Sequence, residues 1–313
     1  MKIRKPRLLK KGDVVGVCAP ASAPNANENI NRGIRYIERN GYRVKLGKNI
    51  FKRHGYLAGT DAQRASDIND LFSDPQVRAI FVARGGYGSH RILPMLDYTC
   101  IQQYPKIFVG YSDITALHLA LFTKTGLITF SGPMVASDMG TSLSGKAEES
   151  FWDTLTSPAI PKPLSCPDNL SQSHPSKAKF AGRILGGNLS LTAALVGTEY
   201  FPPIRDIILL LEEIDERPYR IDRLLQQIRL AGILKRSSGV ALGQFINCTP
   251  GTGKPSLTLN QVFREVFATF PYPVFGGLQY GHRKNSFTIP VGTLASLNIR
   301  SKQIEFLEAP VQE

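Results

Sequence analysis

The stretch Ile107-Phe108-Val109-Gly110-Tyr111-Ser112-Asp113-Ile114 decides the fold. A short apolar, strand-forming run meets a glycine, a serine and an acid. A strongly apolar segment follows, with Ile114, Leu117 and Leu121 at helical spacing, until Gly126 offers a stop. A buried strand that turns sharply into a helix is the repeating unit of a parallel sheet covered on both faces. The same alternation continues outward. Upstream, residues 77–83 form a β-branched strand ending in Arg84-Gly85-Gly86-Tyr87-Gly88. Before it, Ala65, Ile68, Leu71 and Phe72 mark a helix, residues 42–46 alternate like a strand, and Ile30, Ile34 and Ile37 mark another helix that Gly41 closes. Residues 14–19 read as the first buried strand. Downstream, Gly186-Gly187-Asn188-Leu189 precedes a strand at 207–211 that ends at Glu212-Glu213. Pro218 suits the first turn of a helix, residues 240–246 are a strand, Leu259–Phe267 a helix, and residues 287–306 short strands. The expectation is an α/β protein with two domains. Residues 1–160 form a parallel-sheet domain and residues 180–313 a smaller β/α domain. The proline- and serine-rich stretch 161–179 serves as linker.

Composition narrows the class. The chain has 313 residues, 42% hydrophobic and 20% charged, which excludes disorder and a membrane bundle. Its net charge of +13 raises an anionic partner such as nucleic acid or a cell-wall polymer. Aromatic residues do not interleave with the basic runs, so we read a solvated basic surface and expect neither a nucleic-acid nor a membrane partner. Cys18, Cys100, Cys166 and Cys248 lie far apart, without metal-ligand or disulfide spacing. That pattern fits a reducing, cytoplasmic setting and no metal. The basic residues 1–11 resemble a signal n-region, but Asp13 and the short apolar run after it argue for a strand instead.

Ligands of open α/β sheets gather at the carboxyl ends of the strands, and three such ends carry unusual residues. Gly110-Tyr111-Ser112-Asp113 has the strand–turn–helix pattern of a nucleophile elbow; the competing reading is that Ser112 caps the helix. The usual final glycine is absent, because Ile114 occupies its place. The glycines of residues 85–88 could bring backbone N–H groups close to an oxyanion or phosphate, or form an ordinary turn. A dinucleotide fingerprint would need glycine where Arg91 stands. Glu212 or Glu213 could orient a histidine, or serve capping and surface charge. Strand alternation lets at most one of them face the site. A serine nucleophile needs a base, and the chain has five histidines. His54 and His90 are loop residues, His118 lies within the elbow helix, and His174 sits in the linker. His282, after a glycine-rich loop, is the most site-like.

Together these segments resemble the serine LD-carboxypeptidase family, the murein tetrapeptide carboxypeptidases, and the related microcin-immunity peptidases. The resemblance rests on Gly12-Asp13-Val14 through Ala19-Pro20-Ala21-Ser22, Ala83-Arg84-Gly85-Gly86-Tyr87-Gly88, Gly110-Tyr111-Ser112-Asp113 and Gly132-Pro133-Met134. It continues with Gly186-Gly187-Asn188-Leu189, Leu211-Glu212-Glu213, Pro218-Tyr219-Arg220-Ile221-Asp222-Arg223 and Gly281-His282. It implies a class I amidotransferase-like N-terminal domain, with the site in the cleft between the domains. It also implies Ser112 as nucleophile, His282 as base and Glu212 as the acid, with no cofactor and a homodimer. Two departures stand out: Ser131 lies where many relatives carry histidine, and Glu213 replaces a frequent aspartate. The implied substrate is a peptide ending in a D-residue, the murein tetrapeptide with its terminal D-alanine. Backbone N–H groups of Asp113 and Gly86 would hold the oxyanion, and Arg84 and Tyr87 would contact substrate. Other classes stay open: an α/β-hydrolase esterase, a nucleotide-binding module, and a microcin-immunity-like peptidase acting on acyl-adenylate analogues.

Overall fold

The computed structural model describes residues 2–24, 27–141, 143, 145–171, 178–253 and 255–313; His174 lies outside them. Five strands in the first half are parallel: β1 (Val14–Cys18), β2 (Arg43–Leu46), β3 (Val77–Val82), β4 (Ile107–Gly110) and β5 (Thr129–Ser131). The helices among them are α1 (Asn27–Arg39), α2 (Asp61–Ser73), α3 (Ser89–Ile92), α4 (Tyr98–Gln103) and α5 (Thr115–Thr125). Two of their ends have a clear local cause. Thr60 closes a capping box on α2, and Gly126, at φ +74°, ends α5 in the left-handed conformation. α5 is buried all round except at Thr123 and Lys124, because it lies between the first sheet and the second half of the chain.

The second half continues after α6 (Gly145–Thr156). Strands β6 (Leu164–Ser165) and β7 (Asp168–Asn169) come from the proline-rich stretch. Then follow β8 (Lys179–Asn188), α7 (Leu189–Leu195), β9 (Ile207–Ile214), α8 (Pro218–Leu230), β10 (Ser237–Ile246), α9 (Leu259–Phe267) and β11 (Val274–Gly276). The tail supplies β12 (Ile289–Val291), β13 (Leu294–Asn298) and β14 (Gln303–Phe306).

The first sheet runs β12-β5-β4-β3-β1-β2, and the second runs β6-β14-β13-β8-β9-β10-β11-β7. β12 therefore returns from the far end of the chain and pairs antiparallel with β5. Part of the stretch expected to be linker instead closes both edges of the second sheet. One hydrophobic core is shared across the halves: Leu117 and Leu121 of α5 belong to the same cluster as Leu189 of α7 and Leu225 of α8. The carboxyl ends of β4 and β9 consequently face one another, with β8 beside β9. No helix among the described residues is long and apolar enough to cross a membrane.

Candidate active site

Ser112 follows β4 with φ at +64°, the left-handed region that a side chain with Cβ rarely adopts. Gly110 permits the tightness of the turn, since a Cβ there would meet Ile114 Cγ2 at 2.9 Å. The Ser112 hydroxyl makes no helix-cap bond; Tyr111 and Ile114 occupy the cap positions, and neither caps through its side chain. Instead Ser112 Oγ lies 2.9 Å from His282 Nε2, and His282 Nδ1 lies 2.7 Å from Glu212 Oε2. A carboxylate only accepts, so the ring proton sits on Nδ1. The Nε2 lone pair is then left to accept the serine O–H. The carboxyl of Glu212 is buried and the imidazole is 15% exposed. Burial opposes charge on His282, but the hydrogen bond and charge of Glu212, with Glu213 and Asp138 farther off, outweigh it and raise the pKa above the ordinary 6.5.

Glu212 reaches His282, Glu213 reaches Ser190 and Ile214, and Asn188 touches both. Glu213 Oε1 accepts from Asn188 Nδ2 at 2.8 Å and Ile214 N at 2.9 Å. Its Oε2 accepts from Ser190 N at 2.9 Å and Ser190 Oγ at 2.6 Å, in the first turn of α7. Asn188 Nδ2 also reaches Glu212 Oε1 at 3.3 Å, and the Asn188 N–H donates to Thr115 Oγ1 at 3.0 Å. Asn188 is thus a joint between the start of α5 and the carboxyl end of β9. In the sequence it stands out only as part of Gly186-Gly187-Asn188-Leu189.

The glycine loop after β3 flanks the serine. A Cβ on Gly85 would stand 3.4 Å from Ser112 Oγ. Ser22, from the Ala19-Pro20-Ala21-Ser22 turn, holds this loop on both sides. Its N–H donates to the Gly85 carbonyl at 3.2 Å, and its Oγ accepts from the Tyr87 N–H at 3.1 Å. Tyr87 N–H is thereby engaged, while Gly86 lies between the two anchors at φ +103°. The Asp113 N–H belongs to the first turn, which has no intrahelical acceptor. The Asp113 side chain accepts from Ser89 N at 2.9 Å, and its carbonyl accepts from Ser89 Oγ at 2.6 Å, tying the elbow to α3.

Arg84 is half-buried, with Nη1 on the Ala23 carbonyl at 3.2 Å. Tyr87 is 51% exposed, and its ring packs edge-on to Tyr56 at 5.5 Å. His118 is buried, with Nε2 on the Gly110 carbonyl at 2.7 Å and Nδ1 on Thr129 Oγ1 at 2.9 Å, so it braces the elbow from behind. Burial depresses its pKa to about 4. His54 is exposed, and His90 Nε2 is buried without a hydrogen-bond partner. Beside His282 lies a cavity of about 270 Å³, bordered by Tyr111, Ser131, Asp138, Tyr280, Arg283 and Lys284. Tyr111 packs edge-on to the His282 ring at 5.3 Å, and Ser131 Oγ and Tyr280 OH are 2.8 Å apart. Sequence reasoning missed Asp138, Tyr280 and the loop-holding role of Ser22. Among the described residues no group of three or more His, Cys, Asp or Glu side chains is arranged to hold a metal, and the four cysteines are unpaired.

Known proteins share this architecture. The chain is 39% identical over 312 residues to a probable murein peptide carboxypeptidase of Bacillus subtilis, covering 99% of this chain and 96% of that one. It superposes on a muramoyltetrapeptide carboxypeptidase from Oxalobacter formigenes with a TM-score of 0.81 at 31% identity, covering 93% and 97% of the two chains. It superposes on the microcin C7 self-immunity protein MccF, a mutant in complex with adenosine monophosphate, with a TM-score of 0.85 at 26% identity, covering 99% and 100%. Residues 15–132 match the LD-carboxypeptidase N-terminal domain and residues 181–297 its C-terminal domain. The chain belongs to the LD-carboxypeptidase family.

Proposed function

We propose that this protein is a serine carboxypeptidase that hydrolyses the L,D-peptide bond before the terminal D-alanine of a murein tetrapeptide. The observation that carries the reading is the hydrogen-bonded series Ser112 Oγ, His282 Nε2, His282 Nδ1, Glu212 Oε2 at two facing strand ends. In it, His282 takes the Ser112 proton as Oγ attacks the carbonyl carbon. Glu212 fixes the Nδ1–H tautomer and stabilises the imidazolium. The tetrahedral oxyanion lies between the Asp113 and Gly86 N–H groups, placed by the elbow and by Ser22. His282 then donates its proton to the departing amine, leaving an acyl-Ser112 ester that water hydrolyses with His282 again as base. We assign Arg84 and Tyr87, on the loop beside Ser112, to contact with the peptide; Arg84 Nη1 also holds the Ala23 carbonyl. No step calls on a metal or cofactor. The four unpaired thiols support a reducing compartment, and a homodimer follows from the resemblance alone.

A second reading, cleavage of an acyl-adenylate analogue, is favoured by the likeness to MccF and by the exposed Tyr56–Tyr87 pair, on which a base could stack. Mass spectrometry of the products from purified murein tetrapeptide and from an acyl-sulfamoyl adenosine separates the two. Loss of one alanine from the tetrapeptide is expected. Cleavage of the nucleoside substrate alone would overturn the murein reading.

A further inference from the structure

A carboxypeptidase must distinguish a chain end from an internal peptide bond, so some group has to read the free terminal carboxylate. Its location follows from the proton path. The departing amine receives its proton from His282 Nε2, so that nitrogen comes within about 3 Å of the ring. The terminal carboxylate is one Cα farther, which standard bond lengths put within about 6–7 Å of the same ring. The reader must therefore flank His282. Two cations do so immediately, Arg283 and Lys284, at the border of the cavity beside the ring. Both are exposed, and among the described residues neither head group makes an ion pair or hydrogen bond.

The loop that carries them is well braced by its own bonds. Ser286 Oγ lies 2.7 Å from the Gly281 carbonyl and 2.9 Å from the Arg283 carbonyl. Gln279 Nε2 donates to the Asn285 carbonyl at 2.7 Å, and the Phe287 N–H donates to the Gln279 carbonyl at 2.8 Å. The two cations are thus presented on a backbone that is shaped before substrate arrives. Asp138 borders the same cavity, but both of its oxygens already accept, from the Met134 N–H at 2.9 Å and the Tyr111 hydroxyl at 3.4 Å. Arg84, whose Nη1 donates to the Ala23 carbonyl, is the competing cation that the test includes.

We propose that Arg283 and Lys284 bind the free carboxylate of the departing D-residue and so restrict the enzyme to chain ends. This rests on Ser112 and His282 acting as nucleophile and base. The test compares one D-alanine-terminated peptide with its C-terminal amide. The proteins are the wild type, Arg283→Ala, Lys284→Ala, the double variant, and Arg84→Ala. The same peptide's affinity is measured calorimetrically in a Ser112→Ala background. Each charge-assisted contact contributes a factor of about 10–100. The double variant should lose about 10²–10⁴ in kcat/KM on the acid, chiefly through KM, and its acid-to-amide preference should collapse toward one. Affinity in the Ser112→Ala background should fall by a similar factor. An undiminished preference in the double variant overturns the proposal, as does a preference that collapses only in Arg84→Ala. A wild type that releases neither D-alanine from the acid nor D-alaninamide from the amide refutes the peptidase reading itself, and the carboxylate subsite with it.

Discussion

Exchanging either of the adjacent acids for glutamine changes one atom type, yet the two exchanges should fail in different ways. In Glu212→Gln, two donors converge where the side chain has a single carbonyl oxygen: His282 Nδ1–H, now at 2.7 Å from one carboxylate oxygen, and Asn188 Nδ2, at 3.3 Å from the other. If the amide NH₂ turns to the ring, it selects the tautomer with its proton on Nε2, facing Ser112 and useless as a base. If the amide oxygen turns to the ring, the geometry survives but no negative charge meets the imidazolium. Loss of about 10³–10⁴ in kcat is expected, or about 4–5.5 kcal/mol of transition-state stabilisation. In Glu213→Gln, the NH₂ must confront two of the four donors now satisfied by that carboxylate. Leaving buried donors without acceptors costs about 2–4 kcal/mol of stability, while the rate should change by less than about tenfold. Steady-state rates on one D-alanine-terminated peptide and thermal melts on the same preparations decide it. A Glu213→Gln protein that melts normally but is crippled, beside a Glu212→Gln protein of near-normal rate, would refute the assignment.

Ser112→Ala should abolish turnover, by about 10⁴-fold or more, while retaining peptide binding; activity within tenfold of wild type removes Ser112 as nucleophile. Gly86→Ala places a Cβ 2.5 Å from Ser22 Oγ at a φ of +103°, so the oxyanion loop must shift and kcat should drop by about 10²–10³ with less change in KM; an unaffected kcat removes Gly86 from the oxyanion hole. Because His282 must be neutral to act as base, and Glu212 raises its pKa above 6.5 against the opposing effect of burial, kcat/KM should climb with pH through a value above 6.5. The residual activity of Glu212→Gln should show that limb moved to lower pH, and an unmoved limb contradicts the coupling. His118 is held neutral in the fold, with its pKa near 4 against 6.5 when exposed, so protonation favours the unfolded chain. Its contribution is intact above about pH 6.5 and is lost as pH falls toward 4, by up to about 3 kcal/mol. Denaturant titrations of wild type and His118→Gln should diverge in pH slope across that window, and parallel slopes would exclude His118 as a source of acid sensitivity. Incubation with a chelator should leave activity unchanged; zinc-reversible inactivation would overturn the serine mechanism.

Much of this protein is written locally. The continuous apolar runs at β1, β3 and β4 suit a two-sided sheet, Gly126 stops α5 where the sequence offers it, and Pro218 opens α8. These features depend on neighbours a few residues away, so spacing and residue type suffice to find them. The same local reading raised Ser112, Glu212 and His282 and left each with a plain alternative; it was the family resemblance that joined them. Their meeting depends on tertiary structure: Glu212 and His282 lie 70 residues apart, and Ser112 and His282 lie 170 apart. Nothing in periodicity states that β4 and β9 end face to face, that Asn188 bridges α5 to β9, or that Ser22 frames Gly86. Nor does composition reveal that the proline-rich stretch supplies β6 and β7, or that β12 crosses back to pair with β5. Strand edges accept any backbone of fitting register, because the ladder bonds are made by main-chain groups that every non-proline residue carries. The partner is therefore chosen by what the whole chain can bury, and that choice brings the serine, the histidine and the glutamate into one line.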